Sequence, residues 1–264
     1  MRCFLFLLAV TVLLTQCQSD STTADDMTIT AAATDTLTYS IERLSQQEPN
    51  CIGDTCAKIQ INFVQFQSGG DSLAIRQMNQ NILNSFRGNE YTNVIAYING
   101  FIQDYMQGRQ EFPDMPKWEE ENSQRVVFNS PTLVGLVTSN YAFRGGAHPS
   151  YATIFDNYDP ETGNAISWKD LLQAGQEEKM TELGEDYFRE AYELASHEAL
   201  VDSEFQFKDG QFYLPDNFIF NQAGITFLYT LYEIGPYAAG EHEFTIPYKE
   251  VRSLLRERYA ALLQ

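Results

Sequence analysis

Apolar residues first run from Phe4 to Leu14, behind the single charge of Arg2 and ahead of Thr15-Gln16-Cys17. The run is too short to cross a bilayer as a mature helix, which takes about 20 apolar residues. It has the length and flanks of an export signal. Leu14-Thr15-Gln16-Cys17 reads as a lipobox, so residues 1–16 are expected to be removed and Cys17 to carry lipid. Residues 17–35 are rich in Ser, Thr, Asp and Ala. They read as a flexible tether, too polar to bury a core.

Order is expected from about Leu37. Ile59, Ile61 and Phe63 alternate with polar residues, a strand signature, until Ser68-Gly69-Gly70-Asp71 interrupts it. Two amphipathic helices follow, one with Ile75, Met78, Ile82 and Phe86 on a face, the other with Val94, Ile98, Phe101, Ile102 and Tyr105. A short strand is expected over 125–128 and a longer one over 133–143, apolar on both faces and therefore central. Another strand is expected over 150–157. Asp159-Pro160-Glu161-Thr162-Gly163 has proline and glycine where a turn uses them. A helix is then predicted over 177–199 with Met180, Leu183, Tyr187, Ala191 and Leu194 as its buried stripe. Strands are predicted over 218–220, 225–233 and 243–246. Pro247 suits the first position of a closing helix through Val251, Leu254, Leu255, Arg258 and Tyr259. The order of elements gives an α+β fold with a largely antiparallel sheet and packed helices.

Composition sharpens this picture in two places. The 264 residues carry a formal charge of −19. Residues 1–16 hold one arginine and no acid, so −19 becomes −20 on cleavage. Such a surface repels nucleic acid and anionic lipid, leaves the lipid on Cys17 as the contact with a membrane, and attracts cationic partners. Of four cysteines, Cys3 leaves with the signal and Cys17 takes the lipid. Cys51 and Cys56 remain, spaced for a disulfide around Gly53 and Asp54. A bridge closing so short a loop stabilises by about 2 kcal/mol. The rival reading, half of a zinc site, lacks two further ligands at metal spacing.

Chemistry-bearing motifs are few. His197-Glu198 begins like a zinc-protease helix, but Val201 stands where the second histidine belongs. Glu241-His242-Glu243 reads as a weak metal site or as a solvated turn. No Gly-x-Ser-x-Gly elbow and no glycine-rich phosphate loop occurs, and no cofactor is expected. Asp156-Asn157-Tyr158-Asp159-Pro160-Glu161 has calcium-like oxygens without EF-hand spacing. Glu233, in Leu231-Tyr232-Glu233-Ile234, is the one acid in an apparently apolar setting; it reads either as an acid of raised pKa or as a paired, solvent-facing group. Two glycine corners stand out: Gly145-Gly146-Ala147-His148-Pro149-Ser150-Tyr151, and Tyr232-Glu233-Ile234-Gly235-Pro236-Tyr237 running on to Gly240. Glycine pairs reach backbone shapes closed to other residues, and tyrosines beside them suit sugar stacking or a protein contact. Plain constrained turns are the alternative.

Gly145-Gly146-Ala147-His148, the turn at 159–163, and the stretch from Tyr232 through Ile246-Pro247-Tyr248 resemble an exported module. It is similar to the extracytoplasmic region of lysozyme-responsive anti-sigma factors and to the accessory domain of certain peptidoglycan deacetylases, over about Leu37 to Leu255. The resemblance implies a two-part unit: a deacetylase-accessory-like half at 36–155 and an anti-sigma-factor-like half at 156–264. It carries over no catalytic residue.

The expectation from sequence is a non-enzymatic lipoprotein of the bacterial cell envelope, on the periplasmic or surface face of the outer membrane. It would bind cell-wall glycan or a cationic protein such as lysozyme through Gly145, Gly146, His148, Tyr151, Tyr232, Glu233 and Tyr237. The alternatives are a carboxylate-dependent glycan hydrolase and a scaffolding lipoprotein.

Overall fold

A computed structural model describes residues 37–52, 55–87, 91–195 and 199–263. The signal, Cys17, the tether, Gly53-Asp54 and His197-Glu198 lie outside the described residues. Five strands, β1 (Thr38–Gln47), β2 (Lys58–Ser68), β3 (Glu119–Asn129), β4 (Val134–Phe143) and β5 (Ser150–Tyr158), form one sheet in chain order. A second sheet holds β6 (Phe218–Phe220), β7 (Gly224–Tyr229) and β8 (His242–Pro247). Every pairing is antiparallel except β2 with β3, as the α+β expectation requires.

Helices α1 (Ser72–Arg87) and α2 (Val94–Glu111) connect β2 to β3, the crossover that a parallel pair needs. Each starts on a side-chain cap. Asp71 Oδ1 accepts from the N–H groups of Leu73 and Ala74, and Asn93 Oδ1 accepts from Ala96 N–H. Period-two burial then assigns the sheet faces. Ile59, Ile61 and Phe63 bury against Val94, Ile98, Phe101, Ile102 and Tyr105 of α2. Ile75, Met78 and Ile82 of α1 bury against Val64, Phe66, Val134 and Leu136.

β2 and β3 pair only from Lys58/Glu119 to Asn62/Ser123 and then part. Buried backbone groups freed by the parting need partners, and side chains supply them. Val64 N–H donates to Gln124 Oε1 at 3.1 Å. Phe66 N–H donates to Asn79 Oδ1 at 2.9 Å, while Asn79 Nδ2 donates back to Phe66 O at 2.8 Å. An asparagine on α1 thus stands in for the missing strand neighbour.

The same device joins the halves. Thr153 N–H donates to Glu241 Oε1, and Phe155 N–H and Thr153 O pair with the side-chain amide of Asn217. Edge strand β5 is closed by side chains of the C-terminal half, not by a sixth strand. That half has an aromatic core built on α3 (Glu177–Ala191) and its sheet, into which Phe128 of β3 and Leu133 of the turn after it also insert.

Several expectations need correction. β1 and the first part of β3 are not signalled by apolar alternation, because β1 is an exposed edge and inward β3 positions are Glu120, Asn122 and Gln124. The helix from Glu177 ends at Ala191, and its deepest residues are Met180, Gly184 and Phe188; Ala191 is exposed. β7 stops at Tyr229, so Tyr232 and Glu233 lie in the turn beyond it. Pro247 ends β8 and caps α4 (Tyr248–Val251), and the closing helix is broken before α5 (Glu257–Ala260). β4 is interior, but it is covered on both faces only through Thr138; Ser139 and Tyr141 are exposed. Cys51 and Cys56 are disulfide-bonded, with Cα atoms 5.6 Å apart.

Candidate functional site

The two glycine corners meet. Gly145 and Gly146 adopt φ of +90° and +112°, backbone that side-chain-bearing residues rarely reach. This reverses the chain between β4 and β5 and sets Tyr141 directly opposite Tyr151. From the second corner, Tyr237 Oη donates to Pro149 O at 2.8 Å and its ring stacks on His148, centroids 3.7 Å apart and planes at 23°. Tyr151 meets the Tyr237 ring edge-on at 5.8 Å, and Tyr232 lies 5.9 Å from it. Tyr232 Oη is 3.4 Å from His148 Nε2. Partial desolvation, then the nearby Tyr151, Tyr232 and Tyr141, raise the pKa of the Tyr237 hydroxyl. The result is a surface patch of four tyrosines and one histidine.

Tyr232 holds φ of +66° and is 63% exposed. A bulky residue in the left-handed region costs about 1–2 kcal/mol. The turn that imposes it is braced by Glu233, whose carboxylate accepts from Thr230 N–H at 2.8 Å, Thr230 Oγ1 at 3.0 Å and Tyr213 Oη at 3.0 Å. Glu233 therefore supports the patch from behind, and its setting is polar rather than apolar. Tyr141, expected on a covered face of the central strand, is exposed and belongs to the patch. Period-two patterning carries no signal for this, because Tyr141 is in phase with the buried Gly135 and Val137 and is exposed only where the cover on that face ends.

A second cluster anchors the first corner. Glu120, 6% exposed, accepts from Tyr97 Oη, from Asn122 Nδ2 at 3.0 Å and from Arg144 Nη2 at 2.7 Å. The Arg144 guanidinium also lies over the rings of Phe101 and Trp118. Burial, then the Glu120 charge beside it, holds the Tyr97 hydroxyl far above its ordinary pKa. Arg144 immediately precedes Gly145, so this node ties the loop to α2 and β3.

Other candidates are not drawn together. Glu241 binds the β5 edge, while the His242 ring lies against Tyr192 and Phe205, its pKa lowered by burial. Among the described residues no group of three or more His, Cys, Asp or Glu is placed to hold a metal ion.

The desolvated acid is Asp156, which the sequence had grouped with calcium-like oxygens. It faces inward on β5 beside Leu136, and its Oδ2 has no hydrogen-bond partner among the described residues. Burial pushes its pKa up from 3.8 to about 6, offset in part by the Ser85 hydroxyl. Because the folded pKa exceeds the unfolded one, the group costs nothing below about pH 4; its cost grows to about pH 6 and then stays constant. Asp156→Asn is expected to stabilise by about 2 kcal/mol at pH 8 and by almost nothing at pH 4. Urea midpoints at both pH values check this, and a gain equal at both would contradict it.

Two family models match the chain. Residues 53–151 match that of the deacetylase PdaC, and residues 169–249 that of a protein family of unknown function, DUF3298. Solved structures of DUF3298-family proteins share the fold. One from Bacteroides fragilis has a TM-score of 0.70 at 23% identity, covering 85% of this chain and 96% of that one. One from Pseudomonas aeruginosa has a TM-score of 0.66 at 22% identity, covering 85% and 97%. A search of curated proteins finds no match. The four glycine-corner tyrosines and His148 sit partly in the PdaC-matching region and partly in the DUF3298-matching one.

Proposed function

We propose that this protein is a non-enzymatic binding module of the bacterial cell envelope, anchored by lipid on Cys17, that holds cell-wall glycan on the Tyr141–Tyr151–Tyr232–Tyr237–His148 patch. The observation that carries the reading is the seam itself. Residues 81 to 96 positions apart along the chain converge to present exposed aromatic faces, and one of them is held in a costly backbone conformation. Aromatic faces with hydroxyl rims suit sugar rings, apolar on their faces and polar on their edges. The match to a deacetylase model supports a cell-wall setting. The signal and lipobox motif supports export.

Sedimentation with purified insoluble peptidoglycan tests this. The wild type is expected to co-sediment, and Tyr151→Ala to bind roughly thirtyfold more weakly, a loss of about 2 kcal/mol. Equal retention of both proteins, or of neither, would contradict the reading. A second reading, capture of a cationic muramidase, is favoured by the charge of −19. It predicts retention on immobilised lysozyme that is lost at high salt and is indifferent to Tyr151→Ala.

A further inference from the structure

Beyond Thr138, one face of the five-stranded sheet has no helix on it among the described residues. The register carries a row of side chains straight across this open face. Ser45 pairs with Gln60, Gln60 with Glu121, Glu121 with Tyr141, and Tyr141 with Tyr151. Partners in register share a face, and all five are exposed. Four strand spacings of about 4.8 Å make the row about 19 Å long. At its β5 end it runs into the stacked His148–Tyr237 pair. At its other end Gln47, Lys58, Gln60 and Glu119 line a cleft of about 230 Å³.

The charge on this face is unlike that of the whole molecule. Arg43 and Lys58 stand against Glu119 and Glu121, and Lys58 Nζ bridges Glu119 Oε1 at 2.7 Å. The face is locally balanced on a chain of net charge −19. A polyanion is excluded by the surrounding field, while an uncharged polymer with many hydroxyl and amide groups meets amides, carboxylates and tyrosines along its length.

We infer that the aromatic patch is one end of an extended groove, and that the open sheet face binds a linear, uncharged N-acetylated polysaccharide laid across the strands along the Ser45–Tyr151 row. This rests on the glycan reading of the patch and specifies its ligand as a chain bound at several consecutive sugars.

Isothermal titration with the β-linked disaccharide and hexasaccharide of N-acetylglucosamine tests it, using the wild type and a Gln60→Ala/Glu121→Ala variant. Both substitutions are on exposed side chains, and an unchanged thermal midpoint confirms that the variant is folded. The wild type is expected to bind the hexasaccharide about tenfold more tightly than the disaccharide. The variant is expected to lose about fivefold on the hexasaccharide and to keep its disaccharide affinity. Equal affinity for the two lengths, or a variant indistinguishable from wild type, would overturn the extended groove while leaving the patch in place. Binding of neither sugar would overturn the patch reading and the groove with it. Self-association of the protein through this face, seen as a concentration-dependent sedimentation coefficient abolished in the variant, would assign the face to a second copy and overturn the groove.

Discussion

Phe188→Ala is expected to destabilise the protein by about 4 kcal/mol. Phe188 is fully buried on α3. Its ring lies between 4.8 and 5.8 Å from the rings of Tyr192, Phe205, Phe207, Phe212, Tyr229 and Phe244, mostly edge-to-face. These neighbours come from the C-cap of the helix, the loop after it and two strands of the second sheet. Removing the ring leaves a cavity that no single neighbour is positioned to fill, so transfer and cavity costs add. For a chain of this size the melting midpoint is expected to fall by about 10 °C. Chemical denaturation checks the figure. A loss below about 1 kcal/mol would mean that the cluster is loosely packed and that the second sheet is held by other contacts.

Gly163→Ala is expected to cost about 3 kcal/mol or more, for a different reason. Gly163 closes the turn after β5, its N–H donating to Asp159 O at 2.7 Å with φ of +74°. A Cβ there would stand 2.1 Å from Ala74 O and 2.9 Å from Gln77 Cβ, both on α1. Left-handed strain accounts for about 1 kcal/mol; the collision with helix backbone adds the rest. Gly175 supplies the control. It has φ of +78°, but its Cβ would meet nothing within 4 Å, so Gly175→Ala pays the conformational term alone. Unfolding free energies of the two variants separate the terms. Equal losses would show that the turn does not dock on α1 as described. Asn81 Nδ2 donating to Gly163 O at 3.0 Å argues that it does.

These two positions show what the sequence carries and what it hides. Helices α1 and α2 were legible because Ile75, Met78 and Ile82, and Val94, Ile98, Phe101 and Ile102, repeat at helical spacing against a sheet. The turn at Gly163 was legible from local chemistry, although its docking on α1 was not. The inward edge of β3 was hidden because Glu120, Asn122 and Gln124 are buried polar residues, and the partners of Glu120 (Tyr97 and Arg144) and of Gln124 (Thr138) are distant in sequence. β1 was hidden because an edge strand exposes most of its side chains. The stripe of α3 was legible in part: Met180 is buried and Leu183, Tyr187 and Leu194 pack against the core, but Gly184 was hidden because it lies under Leu214, where small size, not apolar character, decides the packing.

The patch was partly legible for the same reasons. Gly145, Gly146, His148, Tyr151, Tyr232 and Tyr237 were singled out by local composition, and the fold brings their two corners together. Nothing local reveals that Tyr237 crosses to Pro149, a contact spanning 88 residues. Of the two readings of Glu233 the paired one holds, but its partners, Thr230 and Tyr213 twenty residues away, were not legible, because apolar flanks in sequence do not imply an apolar setting in space.

The most direct test is an equilibrium titration of the uncharged β-linked hexasaccharide of N-acetylglucosamine, a cell-wall sugar, into wild type and Tyr151→Ala. Saturable binding by the wild type, weakened roughly thirtyfold in the variant at an unchanged melting midpoint, is the predicted result. Binding of the same affinity in both proteins would contradict the claim that this protein holds glycan on its seam of tyrosines.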